Sequence, residues 1–124
     1  MDINKIAMAP TAWSVVASAT AATVTATKAA ITHATNIVPA QRHCVTGFSI
    51  SASATVSTIS TFQIKNGTTV VFQYELGTGF SGILNVELTR PFICDQATAV
   101  VGTATTLGTG VVCTVVVRGM TVSD

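Results

Sequence analysis

Only one stretch has the spacing of a nucleotide-binding loop, Gly77-Thr78-Gly79-Phe80-Ser81-Gly82. Glycines so placed let backbone amides approach a pyrophosphate, provided a helix N-terminus follows to hold it. From Ile83 to Thr89 apolar and polar residues alternate as in a strand, so that helix is missing and the segment reads as a loop presenting Phe80. His33 and His43 have no acidic residue at metal-ligand spacing and read as surface or sheet histidines. Of the five carboxylates, Asp2, Glu75, Glu87, Asp95 and Asp124, only Glu75 and Glu87 fall on separate strands where they could face one another as a glycosidase pair. No nucleophile, base and orienting group come together, so the expectation is a chain that is not an enzyme and takes no cofactor or metal.

Cys44, Cys94 and Cys113 are far apart and odd in number, which fits neither a disulfide framework nor a paired metal motif. Cys44 shares strand parity with Phe48 and Ile50, and Cys113 with Val111, Val115 and Val117, so both read as small core residues. Nothing adjacent in sequence would lower a thiol pKa.

These residues must be positioned by strands. The chain has 124 residues, enough for one domain, and is rich in Thr, Val and Ala, with 9% charged residues. Large side chains are few, which leaves a thin core that partners would complete. The net charge is +1, with Lys5, Lys28, Arg42, Lys65, Arg90 and Arg118 spread along the whole chain, so nucleic acid is not an expected partner. Thr and Ser interrupt every apolar run well short of the ~18 residues of a membrane helix, and no membrane is expected either. Asp2, Pro10, Thr11 and Ser14 argue against reading the N-terminal stretch as a cleaved leader. The sequon Asn66-Gly67-Thr68 then reads as a turn.

The clearest element is a hairpin from Phe62 to Leu76. Phe62 and Ile64 alternate with polar residues before the turn, and Val70, Phe72, Tyr74 and Leu76 alternate after it. A two-residue Asn66-Gly67 loop would put the two apolar stripes on opposite faces. A three-residue loop, Lys65-Asn66-Gly67 with Gly67 left-handed, would pair Ile64 with Thr68 and Phe62 with Val70 and unite them. Further strands are predicted at Trp13 to Val16, Ala21 to Ile31, Arg42 to Ala52 with Gly47 marking a bulge or close packing, Leu84 to Thr89 ended by Pro91, Ala97 to Thr105, and Val111 to Arg118. Residues 1–12 read as an extended N-terminal arm and residues 13–124 as a single all-β domain. Its architecture is predicted as an antiparallel β-sandwich, an eight-stranded jelly roll. The runs Val70-Val71, Val100-Val101, Val111-Val112 and Val115-Val116-Val117 put apolar residues on both sides of their strands. Such strands need cover on both faces, so a second subunit is expected on the outer one.

Arg42-His43-Cys44-Val45-Thr46-Gly47 opening a strand, Ile64-Lys65-Asn66-Gly67-Thr68-Thr69-Val70-Val71 at the hairpin, Arg90-Pro91, and Val115 to Gly119 resemble small Ala/Thr/Val-rich virion proteins of tailed bacteriophages. The resemblance runs from about Lys28 to Gly119. It implies a capsid decoration (cement) protein, a trimeric jelly roll similar to tumour-necrosis-factor-like modules. Such a homotrimer would bind the major capsid protein on the outer surface of a phage head and stabilise the shell by mass action. The expected capsid contacts are Ile3, Ile6, Met8 and Trp13, and the expected subunit interface holds Val112, Val116 and Phe80. The rival is a glycan-binding receptor module at a head fibre or tail tip, which would stack sugars on exposed aromatics such as Phe80.

Overall fold

The computed structural model describes residues 11–31 and 41–123, and the expectations for Ile3, Ile6, Met8 and His33 lie outside them. The described chain forms eight strands: β1 Thr11–Thr20, β2 Val24–Lys28, β3 Gln41–Ala52, β4 Ser60–Asn66, β5 Thr69–Leu76, β6 Gly82–Ile93, β7 Val100–Ala104 and β8 Val112–Ser123. They pair antiparallel in two four-stranded sheets, ordered β1-β8-β3-β6 and β2-β7-β4-β5. Among consecutive strands only β4 and β5 share a sheet; every other connection crosses between sheets, which is jelly-roll connectivity.

Inward-facing residues of the central strands fill the space between the sheets. Val45, Phe48 and Ile50 of β3, Val115 and Val117 of β8, Phe62 and Ile64 of β4 and Val100 of β7 are fully buried. At ~25 cal/mol per Å² of apolar surface, each of these larger side chains contributes roughly 1.5–3 kcal/mol, which offsets the small size of the remaining core residues.

The hairpin unites its apolar stripes by a different device from the one expected. The loop is Gly67-Thr68, with Gly67 at φ 64°, and Asn66 pairs with Thr69 and Lys65 with Val70. A bulge then shifts the ladder so that Ile64 meets Phe72 and Phe62 meets Tyr74. Val71 is the extra residue, and Val70 falls on the outer side with Lys65 rather than inward beside Phe62. One inserted residue in the strand restores the phase that the short loop would otherwise break.

A second bulge lies between Val45 and Gly47. It changes the phase of β3, so that Val45 joins Phe48 and Ile50 in the core cluster while Cys44 is buried outside it. Across it the β3–β6 ladder jumps from Val45–Phe92 to Gly47–Glu87, leaving residues 88–91 without ladder partners. Pro91 sits in that gap on an edge strand, where its missing N–H breaks no pairing, so β6 passes through it to Ile93 instead of ending there. The first strand is also longer than expected. It takes in Thr11 and Ala12, and Trp13, Val15, Ala17 and Ala19 face the core.

Candidate assembly surface

The two sheets turn very different surfaces outward. On β1-β8-β3-β6 the outward residues align in rows: Val16–Val116–Ser49–Asn85, then Ser18–Thr114–Ser51–Ile83, with Thr20–Val112 beyond them. Val16 is 62% exposed, Ile83 69% and Val112 36%. Between these apolar side chains lie short hydroxyls, and Ser18 Oγ and Thr114 Oγ1 bond each other at 2.8 Å. Charge enters on the row Ser14–Arg118–Gly47–Glu87. Arg118 crosses Gly47 to pair with Glu87, and its Nη2 also donates to Asn85 Oδ1 at 2.9 Å. A Cβ on Gly47 would stand 2.8 Å from Arg118 Nη2 and 2.9 Å from the Val86 carbonyl, so the glycine is what lets the guanidinium lie flat here.

The outer side of β2-β7-β4-β5 is mostly polar instead, with Val70, 41% exposed, and half-buried Val101 as its apolar members. Its rows are Thr25–Thr103–Gln63–Gln73 and Thr27–Val101–Lys65–Val70, with Thr61 opposite Glu75. Gln63 Nε2 donates to Gln73 Oε1 and Thr61 Oγ1 to Glu75 Oε1, both at 2.9 Å. Polar groups that satisfy one another across strands need no partner chain.

The two sides of the sandwich differ as well. β1 and β2 pack together and close one side, whereas the backbones of β5 and β6 stay apart and meet through the side chains of Phe72 and Phe92. Phe72, Leu84, Val86, Leu88 and Phe92 point inward there but are only half-buried, and Tyr74 is still more exposed. The rings of Phe48, Phe62, Phe72, Tyr74 and Phe92 run along this seam with centroids 5.4–6.1 Å apart.

Val112 and Val116 of the sequence reading therefore lie together on the apolar outer face. Trp13 does not: it faces the core, packs edge-on against His43 at 5.5 Å, and carries Lys28 Nζ 5.7 Å from its ring centroid. It also lines a cleft of about 510 Å³ with Ala12, Ser14, Thr46, Arg118, Gly119 and Met120. Its Nε1 is buried without a hydrogen-bond partner among the described residues.

Phe80 is not a presented aromatic. Its carbonyl accepts from Val56 N at 2.8 Å, Gly79 N donates back to the Val56 carbonyl at 3.0 Å, and the ring packs half-buried on its own core. The glycine-rich loop runs directly into β6, so no helix N-terminus faces it. Val16 and Ile83 were not singled out in the sequence. The doublet Val15-Val16 carried the same two-sided signal as the other valine runs, while Ile83 had only its exposure.

The remaining chemistry-bearing residues are absorbed by packing. Glu75 and Glu87 lie on opposite outer faces, separated by two sheets ~10 Å apart, and cannot act as a pair. His43 is buried. Its Nε2 donates to the Ala29 carbonyl at 2.9 Å, which fixes the proton there, and its Nδ1 faces Thr121 Oγ1 at 2.9 Å. The three cysteines are free and buried, and burial raises every thiol pKa, that of Cys94 and of Cys113 to about 11. Among the described residues no group of His, Cys, Asp and Glu is placed to hold a metal ion. No family model, curated protein or solved structure matches the chain.

Proposed function

We propose that this chain is a non-enzymatic building block that assembles as a homotrimer through the outer face of β1-β8-β3-β6, and that it serves as a capsid decoration protein on the outside of a phage head. The observation that carries the reading is the apolar face built from Val16, Val112, Val116 and Ile83, set against a mostly polar face on the other sheet. Four strands at ~4.8 Å spacing and ten residues at ~3.4 Å give that face about 650 Å² in projection, close to the ~800 Å² per partner of a standard interface. A ring of three needs two different surfaces on each subunit, because a cyclic contact above a dimer is heterologous. The half-covered seam of Phe72, Tyr74, Leu84 and Phe92 supplies the second. The capsid role comes from the sequence resemblance and needs only binding energy, delivered three times over by one trimer. A glycan-binding fibre tip would need exposed aromatics on a loop, and Phe80 is committed to its own core.

A cryo-electron map of the particle that carries this protein tests the reading. Threefold density on the outer shell, bridging neighbouring capsid subunits, is the expected result. Density confined to a fibre or tail tip would overturn it.

A further inference from the structure

Asn66-Gly67 is the sequence pair most prone to spontaneous deamidation, because the glycine amide nitrogen meets no side chain as it closes on the asparagine carbonyl carbon. In this fold the pair is held on both sides. Asn66 Nδ2 donates to Asp95 Oδ2 at 3.1 Å, and Asp95 N donates to Asn66 Oδ1 at 3.3 Å. The Gly67 N–H donates to the Ala99 carbonyl at 2.8 Å. Thr98 Cγ2 stands 3.0 Å from where a Cβ on Gly67 would lie, and the Thr98 hydroxyl donates to the Gln96 carbonyl at 2.9 Å. The turn between β4 and β5 is thereby fastened to the loop joining β6 and β7.

We propose that position 66 is a latched modification site: Asn66 stays intact while the Asp95 and Ala99 contacts are closed, and converts to aspartate or isoaspartate when they open. In the reaction the Gly67 amide gives up its proton, its nitrogen bonds to Asn66 Cγ, and Nδ2 leaves as ammonia. Water then opens the five-membered imide. The first step needs the hydrogen that Ala99 holds and the side chain that Asp95 holds, so it proceeds only from a locally opened state. The product prevents reclosure. A carboxylate at position 66 would replace the donor that faces Asp95 Oδ2, setting two negative charges at hydrogen-bond distance. Each opening that ends in reaction therefore removes the latch for good, and the site records how often this end of the sandwich has opened.

Peptide mapping by mass spectrometry after incubation in mildly alkaline buffer tests this, with the full chain native, the full chain unfolded in urea, and the native Asp95→Ala variant side by side. The native chain should deamidate at Asn66 at least about tenfold more slowly than the unfolded one, as a local opening equilibrium requires. Asp95→Ala should move the native rate toward the unfolded rate. If that variant does not fold by circular dichroism, Asp95→Asn is substituted, which keeps the backbone donor and loses the charged acceptor. In Asn66→Asp, hydrogen exchange at the Gly67 amide should be faster than in the parent chain. Equal rates in native and unfolded chains, or a native rate that no Asp95 substitution alters, would overturn the proposal.

Discussion

The outer faces of the two sheets are built on the same backbone plan and filled to opposite ends. On β2-β7-β4-β5, Gln63 meets Gln73 and Thr61 meets Glu75, so polar groups spend their hydrogen bonds on each other and on water. On β1-β8-β3-β6, Val16, Val112 and Ile83 have neighbours too short to cover them, and Val116 between them is half-covered. A sheet of threonine and glutamine is finished as it stands, whereas a sheet of valine and serine is finished only when another surface lies on it. The charged row at the centre of the apolar face is self-neutralising, because Arg118 and Glu87 pair across Gly47.

The largest effect should come from putting a charge on each face in turn. Val116→Asp would bury an unpaired carboxylate in the subunit contact and cost about 3 kcal/mol or more of association, over a hundredfold in dissociation constant. Thr27→Asp, exposed on the outer side of the other sheet, should leave assembly unchanged and stability within about 0.5 kcal/mol. Light scattering across a dilution series reads both. Equal responses would erase the distinction between the faces.

Gly47→Ala comes next. Its Cβ would press on Arg118 Nη2 and on the Val86 carbonyl, and the backbone oxygen cannot swing away. A loss of roughly 1–3 kcal/mol in urea denaturation is expected, together with a weaker assembly as the guanidinium is lifted off the face.

The core behind both faces gives a pH-dependent check. Burial raises the Cys94 and Cys113 thiols from 9.0 to about 11, so the unfolded chain loses these protons first as pH rises. The stability they contribute is complete below pH 9 and is lost progressively toward pH 11. Denaturation midpoints measured over that window should fall, and Cys113→Ala should flatten the slope. The smallest effect belongs to Glu87→Gln. The carboxylate is 65% exposed, and a pair so open to solvent is worth ~0–1 kcal/mol to the monomer in thermal melts.

Much of this was legible in the chain. Valine doublets on strands that alternate elsewhere marked β8 and its outer face, and spaced turn residues marked all eight strands. The misses share one physical origin. In β1 the inward positions after Val15 are Ala17 and Ala19, whose small side chains give a weak periodic signal, so the strand looked half its true length. The extra residues at Thr46 and Val71 are set by how the strands pair across the sheet, which no single strand's pattern reveals. The first turned Val45 inward in place of Cys44, and the second turned Val70 outward while Phe72 kept the inward place expected of it. Trp13 and Phe80, expected as contact residues, are each half-buried against their own core.

The central claim is that the valine-bearing face is covered in solution by another copy of this chain. Sedimentation velocity on the purified protein at micromolar concentration tests it most directly, with Val16→Asp run beside it. The account predicts a single species of three times the chain mass that dissociates in the variant. A well-folded monomer at that concentration, or a variant that stays assembled, would contradict it.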